Sequence, residues 1–215
     1  ATEDDLYTDD FYTIEWPQQS LPEVANLAVS TIGVQAIVEQ LAGGFSDAIA
    51  TPLIQSYLAL LPQLENLSLA YIVKAVANLT QQEIVPELQA LFRRLLEVSS
   101  TAILTDLPQA NTLHQQLLEH HANAKSELTL IQRCGENLAD VLQGNIDPLT
   151  LLFPAGDTSD LTGLYQTSPG GQLMNQQGQQ VGQSLLAHTT RPLRILEIGA
   201  GTGGTTAHVL PHLGE

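Results

Sequence analysis

The 215-residue sequence has one cysteine, seven basic residues and no long apolar run, and each shortage removes a class of protein. A lone Cys134 excludes an internal disulfide framework and fits a reducing, cytoplasmic setting. Seven Lys and Arg against 23 Asp and Glu leave a net charge of −16. That is the wrong sign for nucleic acid, whose phosphates need clustered bases; only Arg93 and Arg94 are adjacent. No apolar stretch approaches the roughly 18 residues of a membrane span. The opening ATEDDLYTDDFY is acidic, the opposite of a signal peptide. No fixed-period repeat and no nucleophile–base–acid set is visible. What remains is a globular composition, 43% hydrophobic, of one large or two small domains.

The stretch with the most chemistry is LRILEIGAGTGGTTAHVLPHL, 193 to 213. Leu193, Ile195, Leu196 and Ile198 form a short β-branched apolar run, which predicts one buried strand. Gly199, Ala200 and Gly201 break it, because glycine turns sharply and lets a ligand approach the backbone. A helix is expected from Thr205, its unpaired first N–H groups facing that ligand. This is the first βα turn of a nucleotide-binding α/β core.

Two glycine patterns fit the turn. Gly199, Gly201 and Gly204 satisfy the dinucleotide fingerprint. Gly199, Gly201 and Gly203, with Glu197 ahead of them, satisfy the spacing of S-adenosylmethionine enzymes. Glu197 favours the second. A carboxylate about 4–6 Å from a pyrophosphate is repelled by a few kcal/mol at an effective dielectric near 20. S-adenosylmethionine instead carries an ammonium and a sulfonium, which suit it. The plainer alternative is that Glu197 only accepts hydrogen bonds from the loop.

The preceding residues read as helices. Ser20–Glu23 and Thr80–Glu83 are capping boxes. The first opens a helix expected to stop at Gly43-Gly44; the second precedes the stripe Ile84, Leu88, Leu91, Leu95, Val98. Thr51-Pro52 opens a helix with Leu53, Ile54, Tyr57, Leu58 and Leu61 inward, ending before Pro62, and another runs from about Leu64 to Leu79. Thr101 to Leu107 reads as a short strand or a helix end. Two helices follow, near 109–123 and 126–142. Residues 145–160 read as a linker with apolar residues that pack on their surroundings, 167–171 as a turn, and Leu173 to His188 as a Gln-rich helix.

The remaining polar residues have modest readings. His114, His120 and His121, with Glu119, fit a solvated helix face, since adjacent histidines point about 100° apart and cannot share a metal. Cys134 reads as a half-buried structural thiol, and His208 with His212 as surface or packing residues sharing a helix face. Tyr165 and Asn175 precede the glycine stretch and suit a zwitterionic ligand end, though Tyr165 serves equally as an anchor.

Three stretches, 127–157, LYQTSPGGQLMNQQ (164–177) and 193–213, together resemble the C-methyltransferase domains of modular polyketide synthases. Residues 69–79 and 85–98 resemble the helical lid of those domains. The resemblance implies a mainly α chain: a helical lid, then the first βα unit of a Rossmann-like methyltransferase core, α/β in the complete domain. It divides the chain into an N-terminal arm (1–19), the lid (20–144), a linker and helix (145–190) and the start of the core (191–215). It implies S-adenosylmethionine as cofactor, lined by Glu197, Gly199, Ala200, Gly201 and Gly203, with Tyr165 above the methionine end, and no metal.

The substrate it implies is a β-ketoacyl chain on the phosphopantetheine of an acyl carrier protein, methylated at the α-carbon after a base forms the enolate. The partners are that carrier and the remainder of a multidomain synthase. The family's catalytic histidine and glutamate fall in the later core, so the chain is expected to be an inactive fragment with no catalytic residue of its own. Carriers are acidic as a family, which makes Arg93, Arg94 and Lys74 the candidate docking residues. The rival readings are a non-catalytic structural remnant and a metal-dependent loading methyltransferase acting on a malonyl-type starter.

Overall fold

The computed structural model describes residues 34–102, 109–187 and 195–213. The expected arm, the Ser20 capping box, the start of the first helix, residues 103–107 and Leu193 lie outside the described residues. Within them the chain is helical, with no strand. α1 (Val34–Ile49) leads to α2 (Pro52–Val76), the helix on which most others are assembled. Its Leu60, Leu64, Leu67 and Tyr71 recur at helical spacing, share one face, and are all buried.

The charged and polar sequence between residues 80 and 102 supplies two short turns and then α3 (Gln89–Ala102). α4 (Ala110–His120) and α5 (Lys125–Glu136) close on the α2 stripe with Ala110, Leu117 and Leu128. Lower on α2, Val76 meets Ile84, Phe92 and Leu142, which seats α3 and α6 (Leu138–Leu142) in a second cluster. Each fully buried leucine contributes about 1.5–3 kcal/mol by leaving water, so these two clusters hold the helices together.

The segment after Gly144 is not bare linker. It folds into α7 (Pro148–Leu152) and α8 (Ser159–Thr162), and Arg133 fastens both to α5. The Arg133 guanidinium pairs with Asp160 and donates to the Leu151 carbonyl at 3.1 Å. Asp147 caps α7, accepting from the Leu149 N–H at 2.9 Å. A π-helical turn, Gly163–Thr167, then feeds α9 (Pro169–Ala187), and α10 (Gly204–Val209) follows the glycine stretch. No described helix is long and apolar enough to cross a membrane.

Several expected boundaries are corrected. α1 runs through Gly43-Gly44 rather than stopping there. A Cβ on Gly44 would meet the Gln180 side chain at 3.2 Å, so this glycine serves the approach of α1 to α9. The two helices expected around Pro62 are one, α2, with the proline inside it. Pro62 and Leu58 both lie on the exposed side, where the carbonyl that loses its partner can face water. Leu53, Leu58 and Leu61 are accordingly exposed, not inward.

At Thr80 the Glu83 carboxylate accepts from the threonine N–H at 2.8 Å and its hydroxyl at 2.7 Å, as the capping pattern implies. It closes only a 3₁₀ turn, because Pro86 keeps the backbone before it extended. Ile84 therefore packs from outside α3, Leu91 is exposed, and Phe92 takes the buried place.

Candidate functional site

The apolar run before the glycines is not a strand among the described residues. Ile195 to Glu197 carry no ladder, and Leu196 and Ile198 are 82% and 87% exposed. A strand exists by its hydrogen-bonded neighbours, and no described strand lies beside this one. The turn itself is as expected. Gly199, Gly201 and Gly203 have φ of 74°, 55° and 71°, the left-handed region that glycine alone adopts cheaply. A Cβ at Gly199 or Gly203 would touch nothing within 4 Å, so conformation and open space, not crowding, ask for glycine there. The Gly203 N–H donates to the Ala200 carbonyl at 2.8 Å and closes the turn. Thr206 on α10 donates its hydroxyl to the Glu197 carboxylate, which ties the end of the run to the short helix.

The opposite wall begins at Ser168. Its hydroxyl accepts from the Gly171 N–H at 3.0 Å and donates to the Leu164 carbonyl at 2.7 Å, so it caps α9. The expected turn at 167–171 is thus a helix start, and Ser168-Pro169 was its signal: a capping serine with proline at the first helical position.

One face of α9 carries Gly171, Asn175, Gly178 and Gly182. Their spacing of four, three and four puts them in line; Gly178 and Gly182 admit α10 and Leu213, and Gly171 admits the Leu164 and Tyr165 carbonyls. Asn175, 4% exposed, spans the gap: its amide N–H donates to the Tyr165 carbonyl at 2.9 Å, and its oxygen accepts from the Thr205 hydroxyl at 3.0 Å. Its two ends are therefore engaged within the protein. It positions the loop rather than offering a free amide.

Between these walls lies a cavity of about 560 Å³, within the range of small-molecule sites. Of the sequence-derived residues, Glu197, Gly199, Ala200, Gly201 and Tyr165 line it. Gly203 does not; it sits at the joint with α10, whose Gly204 lines the cavity. A Cβ on Gly204 would strike Gln166 Cγ at 2.9 Å, so that glycine is needed where the loop abuts the π-helical turn.

Tyr57 is the lining residue that the sequence reading assigned to the core. It reaches the cavity from α2, packed so closely on Gly170 that a Cβ there would meet its ring at 2.9 Å. Burial first, then the Glu127 charge and contact with that carboxylate, push its phenol up to about 12, against a smaller opposing effect of the Ser168 hydroxyl. Among the described residues no Lys, Arg or His lines the space.

The other polar candidates lie elsewhere. His120 is exposed and bonds the Gln116 carbonyl at 2.7 Å, whereas His114 is buried, a correction to the solvated face expected of it. The interior face of α4, set by Ala110 and Leu117, includes position 114 at helical spacing. Among the described residues no three His, Cys, Asp or Glu side chains are grouped as a metal site. Burial pushes the half-buried Cys134 thiol up, with the Arg133 charge pulling the other way. His208 and His212 share a face, their ring centres 6.2 Å apart. Lys74 lies over the Tyr71 ring, and Arg94 pairs with Glu97 at 2.8 Å.

No protein-family model matches the chain. Over 178 residues it is 32% identical to the non-reducing polyketide synthase prhL of Penicillium brasilianum, covering 78% of this chain and 7% of that protein. The crystal structure of the CurJ carbon methyltransferase matches with a TM-score of 0.73 at 30% identity, over 83% of this chain and 56% of that one. The CMeT domain of the citrinin polyketide synthase matches with a TM-score of 0.72 at 25% identity, over 84% and 56%. The chain is a relative of the carbon-methyltransferase domains of polyketide synthases. It spans about half the length of the two methyltransferase chains and a small part of the synthase. The mainly α fold expected from the sequence is the one these methyltransferase domains share over the matched region.

Proposed function

We propose that this chain supplies the helical lid and the first cofactor turn of an S-adenosylmethionine-dependent C-methyltransferase, acting on the α-carbon of a β-ketoacyl chain held by an acyl carrier protein. The observation that carries the reading is the cavity itself: Glu197 and two left-handed glycines, Gly199 and Gly201, face Tyr57 and Tyr165 across one space, in a relative of carbon methyltransferases. The residues fit the cofactor. Open space at Gly199 admits a ligand against the backbone, and among the described residues the lining carries the Glu197 carboxylate and no basic side chain, which suits a cation and not a dinucleotide's phosphates.

S-adenosylmethionine would supply an electrophilic methyl group when bound. Glu197, held by Thr206, would orient the cationic ligand; Gly199 to Gly201 would lie along it; Tyr165, 55% exposed, would stand at the rim. Tyr57 and Met174 would help exclude water from the acceptor. Among the described residues the ionisable groups lining the cavity are Tyr57, Tyr165 and Glu197, and none is assigned to removing the α-proton. None of the six histidines is given that role, and the chain alone is proposed to be inactive. Residues 145–190 would join the lid to the core, and the carrier would dock on the lid.

Thermal unfolding with and without S-adenosylhomocysteine, with NADH as control, tests this. A ligand at 100 times its Kd stabilises by roughly 2.7 kcal/mol. A rise in Tm with S-adenosylhomocysteine alone is expected. A rise only with NADH would replace the methyltransferase reading with a dinucleotide one.

A further inference from the structure

Tyr165 stands at the cavity rim on an uncommon piece of backbone, the π-helical turn Gly163–Thr167. The Ser168 N–H donates to the Gly163 carbonyl at 2.9 Å, five residues back, so the ring it closes holds one residue more than an α-helical one. Side chains fasten this wider turn through its carbonyls. That of Gly163 also accepts from the Thr167 hydroxyl at 3.0 Å, that of Leu164 from the Ser168 hydroxyl at 2.7 Å, and that of Tyr165 from the Asn175 amide at 2.9 Å.

Two glycines then let neighbouring helices close on the turn. A Cβ on Gly171, in the first turn of α9, would lie 2.7 Å from the Leu164 carbonyl oxygen and 2.8 Å from that of Tyr165. Both are backbone atoms, which give way only if the turn itself moves. A Cβ on Gly163 would lie 2.2 Å from Ser126 Oγ and 3.2 Å from Ser126 Cβ, on α5. Gly178 gives the contrast. It lies two turns further along the same face of α9, and a Cβ there meets nothing closer than Val209 Cγ2 at 3.5 Å, an ordinary contact. A side chain that meets a ligand must be held within about 0.5 Å of its working position. A side chain at Gly171 or Gly163 would push the turn by a distance of that order.

We propose that Gly171 and the Ser126–Gly163 contact are positioning elements of the ligand site: they fix the π-helical turn so that Tyr165 meets the amino-acid end of the cofactor. This rests on the reading that the cavity takes S-adenosylmethionine with Tyr165 at its methionine end. It gives Ser126, a residue outside the cavity lining, a part in ligand affinity.

Calorimetric titration of the wild-type chain, Gly171→Ala, Gly163→Ala, Gly178→Ala and the double variant Gly163→Ala with Ser126→Gly against two probes tests it. S-adenosylhomocysteine carries the amino-acid end; methylthioadenosine lacks it. Gly171→Ala and Gly163→Ala are each expected to bind S-adenosylhomocysteine about tenfold more weakly, on the order of one misplaced contact, while methylthioadenosine affinity stays within about twofold of wild type by the same reasoning. Gly178→Ala, which also exchanges glycine for a better helix former, is expected to match wild type toward both probes. The double variant is expected to recover S-adenosylhomocysteine binding, because Ser126→Gly removes the atoms that the new Cβ would strike. The unchanged second probe shows that the variants are folded. Equal weakening toward both probes in Gly171→Ala and Gly163→Ala would reduce the two glycines to scaffold and overturn the inference. Unchanged S-adenosylhomocysteine affinity in both, the same loss in Gly178→Ala, or no recovery in the double variant would overturn it as well. A wild-type chain that binds neither probe would overturn the cofactor reading, and the inference with it.

Discussion

At the scale of single residues, glycines do two different jobs, and substitution separates them. Gly203 has a positive φ and open space around it, so alanine there costs only the left-handed conformation, roughly 1–2 kcal/mol. Gly135 has ordinary helical geometry, but a Cβ on it would lie 2.3 Å from Tyr71 Cγ. The Tyr71 ring is fully buried and cannot swing away. Gly135→Ala is therefore expected to cost at least the ~1–3 kcal/mol of an overpacked core, seen as a Tm several degrees lower. A Tm within a degree or so of wild type would mean that α2 and α5 part more easily than their packing implies. The loop glycines were legible in the sequence because three of them follow an apolar run at fixed spacing. Gly135 and Tyr57 were not, because what faces them comes from helices distant in sequence. Tyr57 sits among leucines, and its neighbourhood there reads as core.

At the scale of elements, α2 shows how tertiary packing overrides a local stop signal. Pro62 breaks one hydrogen bond, yet the stripe from Leu60 to Tyr71 buries enough surface to keep the helix continuous. Pro62→Ala restores the missing donor on the exposed side and should stabilise the chain by up to about 3 kcal/mol. Chemical denaturation, compared at equal m-value, reads this directly. A loss of stability would show that α2 needs a bend at residue 62.

The same override explains α1, which passes two glycines because α9 lies close to it. It works in reverse for 195–198. That run has strand chemistry, but no described strand is there to complete it, and side chains that were expected inside face outward. Periodicity reports what an element would bury. It cannot report what is available to bury it against.

At the scale of the whole molecule, charge decides what can approach. A net charge of −16 repels another acidic protein except where bases gather. Arg93 and Arg94 are both exposed on α3, and α3 packs on α2, which carries Lys74. If an acyl carrier protein docks on the lid here, replacing Arg93 and Arg94 together with Glu is expected to weaken it by an order of magnitude or more. Carrier affinity by surface plasmon resonance at low salt checks this, and an unchanged value would move the docking face elsewhere. The general plan, helices followed by a glycine turn, was readable from the order of its motifs. That Tyr57, on α2, shares a cavity with the glycine loop was not, because composition and spacing carry no distance between remote segments.

Asn175 gives the chain a mechanical property as well. One buried amide holds the carbonyl of Tyr165 with one hand and the hydroxyl of Thr205 with the other. The rim of the cavity and the start of α10 are thereby tied through one side chain and are expected to open and close together. Backbone amides at 165–168 and 204–207 would exchange with solvent at a common rate, and a molecule that quietened one segment would quieten both.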